Sequence, residues 1–451
     1  MEGTKYSTKE AVLKRAQEII GIPLGEVDKT GRLSTGKGAI GTVIEESWYG
    51  YSPNSESEPD FPEAGVELKA TPYYHGKGGS IHAKERLVCN IINYMEEYDK
   101  TFKTSSFWHK CETMLLMSYE HKKDVPKSEF TIDKAVLFSF PEEDLLIIEN
   151  DWKTIIDKIR NGQAHLISEG DTMYLAACTK GANASSVRQQ PFSDIPAKQR
   201  AYSLKSSYMT QILNQYIFGT ATNERIITDW KQLQKHSFED IIVEKLQPYF
   251  GKTQGQLKAY FNVDSGAKNL NEVLLAKMLG IKGKIAYTDE FQKACIVPKT
   301  IRVQLNGKIK ESMSFPTFDF IKLSQEKEWE ESELYNYIVP TKFLFVIFQE
   351  NEKGEYVFDR VKFWNIPNDD LDEVQRVWNR TVKTICEGVI LEEKNGKIYN
   401  NLPKQSESEV AHVRPHGKDG SDKLPLPDGR MMTKQCFWFN RTYVEKQIRE
   451  M

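Results

Sequence analysis

Apolar and polar positions alternate along several stretches of this 451-residue chain. Val66, Leu68 and Ala70 alternate with Glu67, Lys69 and Thr71, the period of two expected of a strand with one buried face. The apolar runs Met114-Leu-Leu-Met117 and Ala135-Val-Leu-Phe-Ser-Phe140 predict central strands, and Asp171–Asn183 predicts a strand running into a small polar loop. Val12, Leu13, Ala16, Ile19 and Ile20 recur at helical spacing after the capping-box pattern Ser7-Thr-Lys-Glu10. Ile40, Val43, Ile44 and Trp48 do the same and place Glu45 near the edge of their apolar stripe. Lys84–Tyr98 and Trp152–Ile159 also read as helical, and Ser105–Lys110 as the lead into the Met114 strand. Gly219-Thr-Ala-Thr-Asn-Glu-Arg-Ile226 reads as a linker. Strands and helices interleave, so the class is α/β.

Length allows two or three domains, and 39% hydrophobic with 28% charged residues is ordinary soluble composition. No apolar run approaches the roughly 20 residues of a membrane span, and the N-terminal residues lack the apolar core of a signal peptide. Six scattered cysteines without a C-x-x-C pair argue against a zinc site or disulfide framework and fit a reducing cytoplasm. A net charge of −3 excludes a strongly basic binder, so nucleic-acid binding must rest on local patches. One lies between Thr172 and Lys205, where five Lys/Arg face one Asp.

The stretch Asp60-Phe-Pro-Glu-Ala-Gly-Val-Glu-Leu-Lys69 carries the candidate chemistry. On a strand, Glu67 and Lys69 share a face. An acid and an amine side by side, with Asp60 arriving from the preceding turn, suit a hard divalent cation and an attacking water. The bland alternative is an exposed ion pair on an edge strand. Gly31-Arg-Leu-Ser-Thr-Gly-Lys-Gly38 nearly matches a nucleotide-binding loop, but Gly38 replaces the metal-ligating hydroxyl and no buried strand precedes it, so it reads as a glycine-rich entry into the Glu45 helix. Residues 50–60 form a polar loop that could lie along DNA.

Together, K-G-x-x-G-x-x-x-E from Lys37, then D-F, then G-V-E-L-K-x-x-P resemble the MutH family of metal-dependent DNA endonucleases. That family includes a mismatch-repair nickase and larger restriction enzymes that cut GATC. The resemblance implies a PD-(D/E)xK fold, Mg²⁺ held by Asp60, Glu67 and the Leu68 carbonyl with Glu45 at a second metal or its water, and Lys69 and Lys110 as catalytic lysines. It also implies that Lys180 reads base edges, although Thr179 and Cys178 stand where the family often has Pro and Arg. Ala201-Tyr-Ser-Leu-Lys205 resembles a second DNA-contacting segment containing Lys205, with either Tyr202 or Ser203 as its tyrosine equivalent.

The second half repeats the first weakly but in order. Lys268–Ala276 answers Lys37–Glu45, Val297-Pro-Lys299 answers Glu67-Leu-Lys69, and Pro340-Thr-Lys342 answers Trp108-His-Lys110. Val413-Arg-Pro-His416 answers Ala177–Lys180, and Met432-Thr-Lys-Gln435 answers Tyr202–Lys205. Ala276 and Val297 cannot ligand a cation, so this copy is expected to bind DNA, through Arg414, His416 and Lys434, without cutting it. The expectation is therefore two tandem PD-(D/E)xK domains with mixed central sheets, a catalytic one at 1–220 and a degenerate regulatory one at 221–451. The implied partners are double-stranded DNA and a companion methyltransferase, with the chain a monomer that pairs on DNA. The rivals are a single-domain-type nickase at GATC and a non-catalytic DNA-binding protein.

Overall fold

A computed structural model describes residues 6–34, 36, 38–52, 58–181, 185–220, 222–263, 269–394 and 397–449. Lys37, Lys268 and the middle of the 50–60 loop lie outside the described residues. The chain divides into two compact units, Met1–Ile241 with Gly283–Ile296, and Ile242–Lys282 with Val297–Met451.

In the first unit the strands are β1 (Glu67–His75), β2 (Ile81–Ala83), β3 (Leu87–Ile91), β4 (Met114–Glu120), β5 (Lys134–Phe138), β6 (Leu175–Thr179), β7 (Val187–Gln190), β8 (Ser193–Lys198) and β9 (Arg200–Leu204). They build a mixed sheet in the order β2-β1-β4-β5, with β1 parallel to β4 and the other pairs antiparallel, and an antiparallel sheet β3-β9-β6. The predicted Met114 and Ala135 strands are β4 and β5; β4 is central as expected, whereas β5 is the edge strand, paired only with β4. β4 reads as a continuous apolar run because Met114–Met117 are buried between two paired neighbours. The predicted helix at 152–159 is part of Glu142–Arg160, and the first helix is Lys9–Gln17. Its cap is Thr8, which accepts from the Ala11 amide, rather than Ser7.

Two local expectations are corrected. Lys84–Tyr98 is not one helix: Leu87–Ile91 is β3, paired with β9, and only Tyr94–Glu97 is helical. Leu87 and Cys89 are buried at strand spacing, and pairing with a sheet overrides the local pattern. Ser106–Cys111 is a helix capped by Ser105, whose hydroxyl accepts from the Trp108 amide at 3.1 Å, rather than a strand lead-in.

The second unit contains the sheet orders Ile296–Val303, Lys342–Glu350, Tyr356–Trp364 and Met313–Thr317, Gln435–Phe439, Ala411–Pro415. Relative to chain order these follow the same plan as β1-β4-β5 and β3-β9-β6. In place of the Ser106–Cys111 helix stands Glu333–Ile338, capped by Ser332 in the same way. Counting from the two caps, Lys110 corresponds to Tyr337; Lys342 instead begins the following strand.

Segment 283–296 joins the first unit through a buried charge cluster. Lys293 is fully buried; its ammonium lies 2.9 Å from both carboxylate oxygens of Asp144 and 2.8 Å from Asp289. The Tyr208 hydroxyl donates to Asp144, and the Glu290 carboxylate accepts from the Ile226 and Ile227 amides. Removing one partner from a buried ion pair strands the others without compensation, a cost of about 3–5 kcal/mol. Lys293→Met is expected to lower unfolding free energy by about that amount in urea denaturation; an unchanged midpoint and slope would show that the cluster does not hold the segment in place.

Candidate active site

The motif around Asp60 folds as a tight hook at the head of β1. The Phe61 amide donates to Val66 O (2.9 Å) and the Val66 amide to Phe61 O (3.2 Å), closing the hook. Gly65 takes φ +62°, a left-handed conformation that glycine adopts without penalty. Phe61 is buried among Tyr6, Tyr49 and Tyr51 and anchors the hook to the core.

This brings Asp60 to Glu67. The Asp60 amide donates to Glu67 Oε2 (3.2 Å), and Asp60 Oδ2 accepts from the Leu68 amide (2.8 Å). Glu67 is 2% exposed, and Lys69 lies on the same face with Nζ 2.7 Å from Glu67 Oε1. Lys69 also donates to the Cys89 carbonyl on β3 at 3.3 Å. Lys110, in the last turn of the Ser106–Cys111 helix, stands 3.7 Å from the same Glu67 oxygen. The alternative of an exposed edge pair is set aside by burial: β2 pairs only with Tyr73–His75, yet the Glu67 carboxylate is enclosed.

Glu45 lies in Ile44–Tyr49, a widened π-type turn that continues the Ala39–Val43 helix, and Gly38 (φ +84°) starts that helix instead of cradling a nucleotide. Burial, with the Asp60 and Glu67 carboxylates added, pushes Glu45 up to about 7 against the opposing pull of Lys110 and Lys69. Burial likewise raises Glu67, with Lys69 opposing it. For Lys69 burial disfavours the ammonium, but Glu67 together with the thiols of Cys111 and Cys89 outweighs it, so the lysine stays charged. Among the described residues no group of three or more His, Cys, Asp or Glu is arranged to hold a metal ion. The oxygen donors come as a carboxylate pair with a third carboxyl close enough to be perturbed by it.

The expected DNA-reading residues separate into two classes. Lys180 is exposed at the end of β6, and Arg414 and His416 are exposed in the second unit. Arg414 lies 4.3 Å over the Trp438 ring, and His416 meets the edge of the same ring at 5.1 Å. Lys434 pairs with Asp422 at 2.7 Å. Tyr202, Ser203 and Lys205 are buried on or beside β9. Tyr202 donates to Glu97, Ser203 to Ala176 O, and Lys205 to Thr172 O at 2.7 Å. All three side chains are enclosed, with the Tyr202 ring against Phe107, and their polar atoms are spent on these internal hydrogen bonds.

Sequence reasoning missed His109, whose Nε2 lies 2.7 Å from the Glu58 carboxylate and so ties the approach to Asp60 to the helix carrying Lys110. No local periodicity signals a contact across that separation.

Glu45 gives a pH signature. A carboxyl raised in the folded state binds its proton more readily there than in the unfolded chain, so its contribution to stability falls as pH rises from about 4.5 to about 7 and is constant above. Glu45→Gln is expected to flatten that part of the pH–stability curve, measured by denaturant midpoints between pH 4 and 8; parallel curves for both proteins would rule out the raised carboxyl.

Comparison with known proteins agrees with this geometry. A family model described as the DNA mismatch repair enzyme MutH matches residues 49–151, which include Asp60, Glu67, Lys69 and Lys110. The chain is 41% identical to the type II restriction enzyme Sau3AI of Staphylococcus aureus over 99% of both chains. It is 30% identical to the DNA mismatch repair protein MutH of Shewanella woodyi, over 49% of this chain and 97% of that one. With the MutH protein of Escherichia coli it shares 29% identity over 46% of this chain and 93% of the other. A relative matched end to end, and a MutH-type site built from a hooked Asp60 and the Glu67–Lys69 strand, place the chain in the MutH-related family of type II restriction endonucleases.

Proposed function

We propose that the protein hydrolyses both strands of double-stranded DNA at GATC with Mg²⁺ as cofactor, using the first unit as its catalytic domain. The observation that carries this reading is the Asp60–Glu67–Lys69 arrangement, with Lys110 directed at the same carboxylate. GATC and Mg²⁺ follow from the family resemblance.

The donor set suits that ion. Mg²⁺ takes oxygen ligands, keeps several waters and is commonly held by one or two carboxylates plus phosphate. Asp60, Glu67 and the Leu68 carbonyl offer such a partial shell, and the crowding that lifts Glu45 is relieved by positive charge. When bound, the ion supplies charge neutralisation at the phosphate and a more acidic water. Lys69, fixed by Glu67 and Cys89 O, would position the attacking water, and its ammonium would favour loss of that water's proton electrostatically and offset charge in the transition state. Glu45 orients a second water or metal, and Lys110 contacts the scissile phosphate. Lys180 donates to base acceptors in the major groove.

The second unit is read as a degenerate PD-(D/E)xK copy that binds DNA as an effector. The recurring strand order supports this, as do Ala276 and Val297 at the places of Glu45 and Glu67. Arg414, His416 and Lys434 form its recognition face around or near Trp438. The chain acts in the cytoplasm as a monomer that pairs on DNA, and a companion methyltransferase protects the host's own sites. Binding at one site then raises activity at another, which is thermodynamic coupling.

Plasmid cleavage with and without Mg²⁺ tests the reading: double-strand cuts only with metal are expected, whereas nicks favour the repair-type activity and no cleavage a non-catalytic binder. Glu67→Ala and Lys69→Ala are each expected to lower the cleavage rate by on the order of 10²–10³ or more while specific binding in a gel-shift assay survives. DNA with two sites should be cut faster than DNA with one, and Arg414→Ala should reduce that advantage; equal rates on both plasmids at low enzyme concentration contradict the effector role.

A further inference from the structure

A lysine bonded to a neighbouring strand's carbonyl recurs in both units, but its electrostatic company differs. In the first unit Lys69 donates to Cys89 O and pairs with Glu67 at 2.7 Å. In the second, Lys299 on the strand Ile296–Val303 donates to Ser314 O, 3.0 Å away on Met313–Thr317. Val297, two residues before it, occupies the place of the acid. No carboxylate among the described residues lies within ion-pair distance of Lys299. Burial lowers its pKa, opposed only by the Cys436 thiol.

That thiol marks where two cations converge. Cys436 lies across the ladder from Arg414, and both Arg414 and Lys299 act on it electrostatically, although burial still pushes it up to about 12. Arg414 is exposed and steadied over Trp438, with His416 at the edge of the same ring. Where the first unit gathers carboxylates, the corresponding region of the second gathers cations around a thiol. A half-buried ammonium without a counter-ion is less well stabilised than one in water or in an ion pair, and an incoming anion reduces that cost.

We propose that this pair of cations binds one backbone phosphate of DNA directly, without a metal ion, with Lys299 as the inner cation and Arg414 as the outer one. The loss of the two acids thus converts a cation-plus-phosphate site into a phosphate site. The proposal rests on the reading of the second unit as DNA-binding and names where that unit grips the backbone. Free phosphate shares the same chemistry, so the test separates the two sources.

The test uses the full chain carrying Glu67→Gln, so that DNA stays intact, in EDTA. Affinity for duplexes with and without GATC is measured by fluorescence anisotropy over a range of salt, with and without Lys299→Met. Losing one phosphate contact is expected to reduce the slope of log K against log[salt] by about 0.9 and to weaken binding roughly fivefold near 0.15 M salt, alike on both duplexes. In phosphate-free buffer Lys299→Met is expected to raise Tm, because it removes a half-buried charge that has no counter-ion. A fall in Tm would make Lys299 a structural tie and overturn the proposal. If inorganic phosphate raises Tm only when Lys299 is present but the DNA salt slope is unchanged by Lys299→Met, free phosphate is the ligand and the DNA assignment fails. If Arg414→Ala weakens GATC binding while Lys299→Met changes neither affinity nor slope, the phosphate-site proposal fails and the DNA-binding reading stands. If neither substitution alters DNA binding, that reading fails as well.

Discussion

The interaction on which the catalytic unit depends is the buried Glu67 carboxylate at the head of β1. A carboxylate 2% exposed is sustainable only if its charge is met. Here it is met three times, by the Lys69 ammonium at 2.7 Å, by Lys110 at 3.7 Å and by the Asp60 amide at 3.2 Å. Each partner comes from a different element: the strand itself, the Ser106–Cys111 helix and the hook. The charge of one side chain therefore draws together groups from three parts of the fold. The aromatic cluster around Phe61 holds the hook in place so that the convergence does not depend on the charges alone.

The same constraint explains Glu45. Two carboxylates already occupy the neighbourhood, and a third held near them in partly buried surroundings prefers its proton until pH rises to about 7. A group poised in this way responds strongly to an added cation, which is a reason to place a metal-dependent reaction there rather than at the other acidic clusters of the chain. The buried Asp144–Lys293–Asp289 cluster shows the contrast: two carboxylates share one buried ammonium that is directed at both, and the cluster binds segment 283–296 into the first unit.

Lys69 and Lys299 show how a fold plan can be kept while its chemistry changes. Lys69 is on β1 of the order β2-β1-β4-β5 and Lys299 on the first strand of a three-strand order, and both reach a carbonyl on the first strand of the second sheet. Only one has an acid beside it. Backbone hydrogen bonds and apolar burial hold such a plan together, so exchanging Glu for Val at a site of this kind removes metal-binding capacity without requiring the sheets to rearrange.

Much of the site was legible in the linear chain. Strict alternation identified β1 and put Glu67 and Lys69 on one face, and unbroken apolar runs marked β4 and β5, because periodicity reports how a segment is enclosed. The residue pattern from Asp60 to Lys69 gave the family. Periodicity does not report what encloses a segment. Leu87–Ile91 became a strand only because β9, more than a hundred residues away, supplies its hydrogen bonds. The burial of Tyr202, Ser203 and Lys205 follows from what packs over β9 and its end, such as Phe107 on Tyr202, and not from the local sequence. The placement of Lys110 beside Glu67, the tie from His109 to Glu58 and the capture of segment 283–296 by Asp144 were likewise decided by tertiary structure, since the charges that meet there are brought together only when distant apolar faces pack.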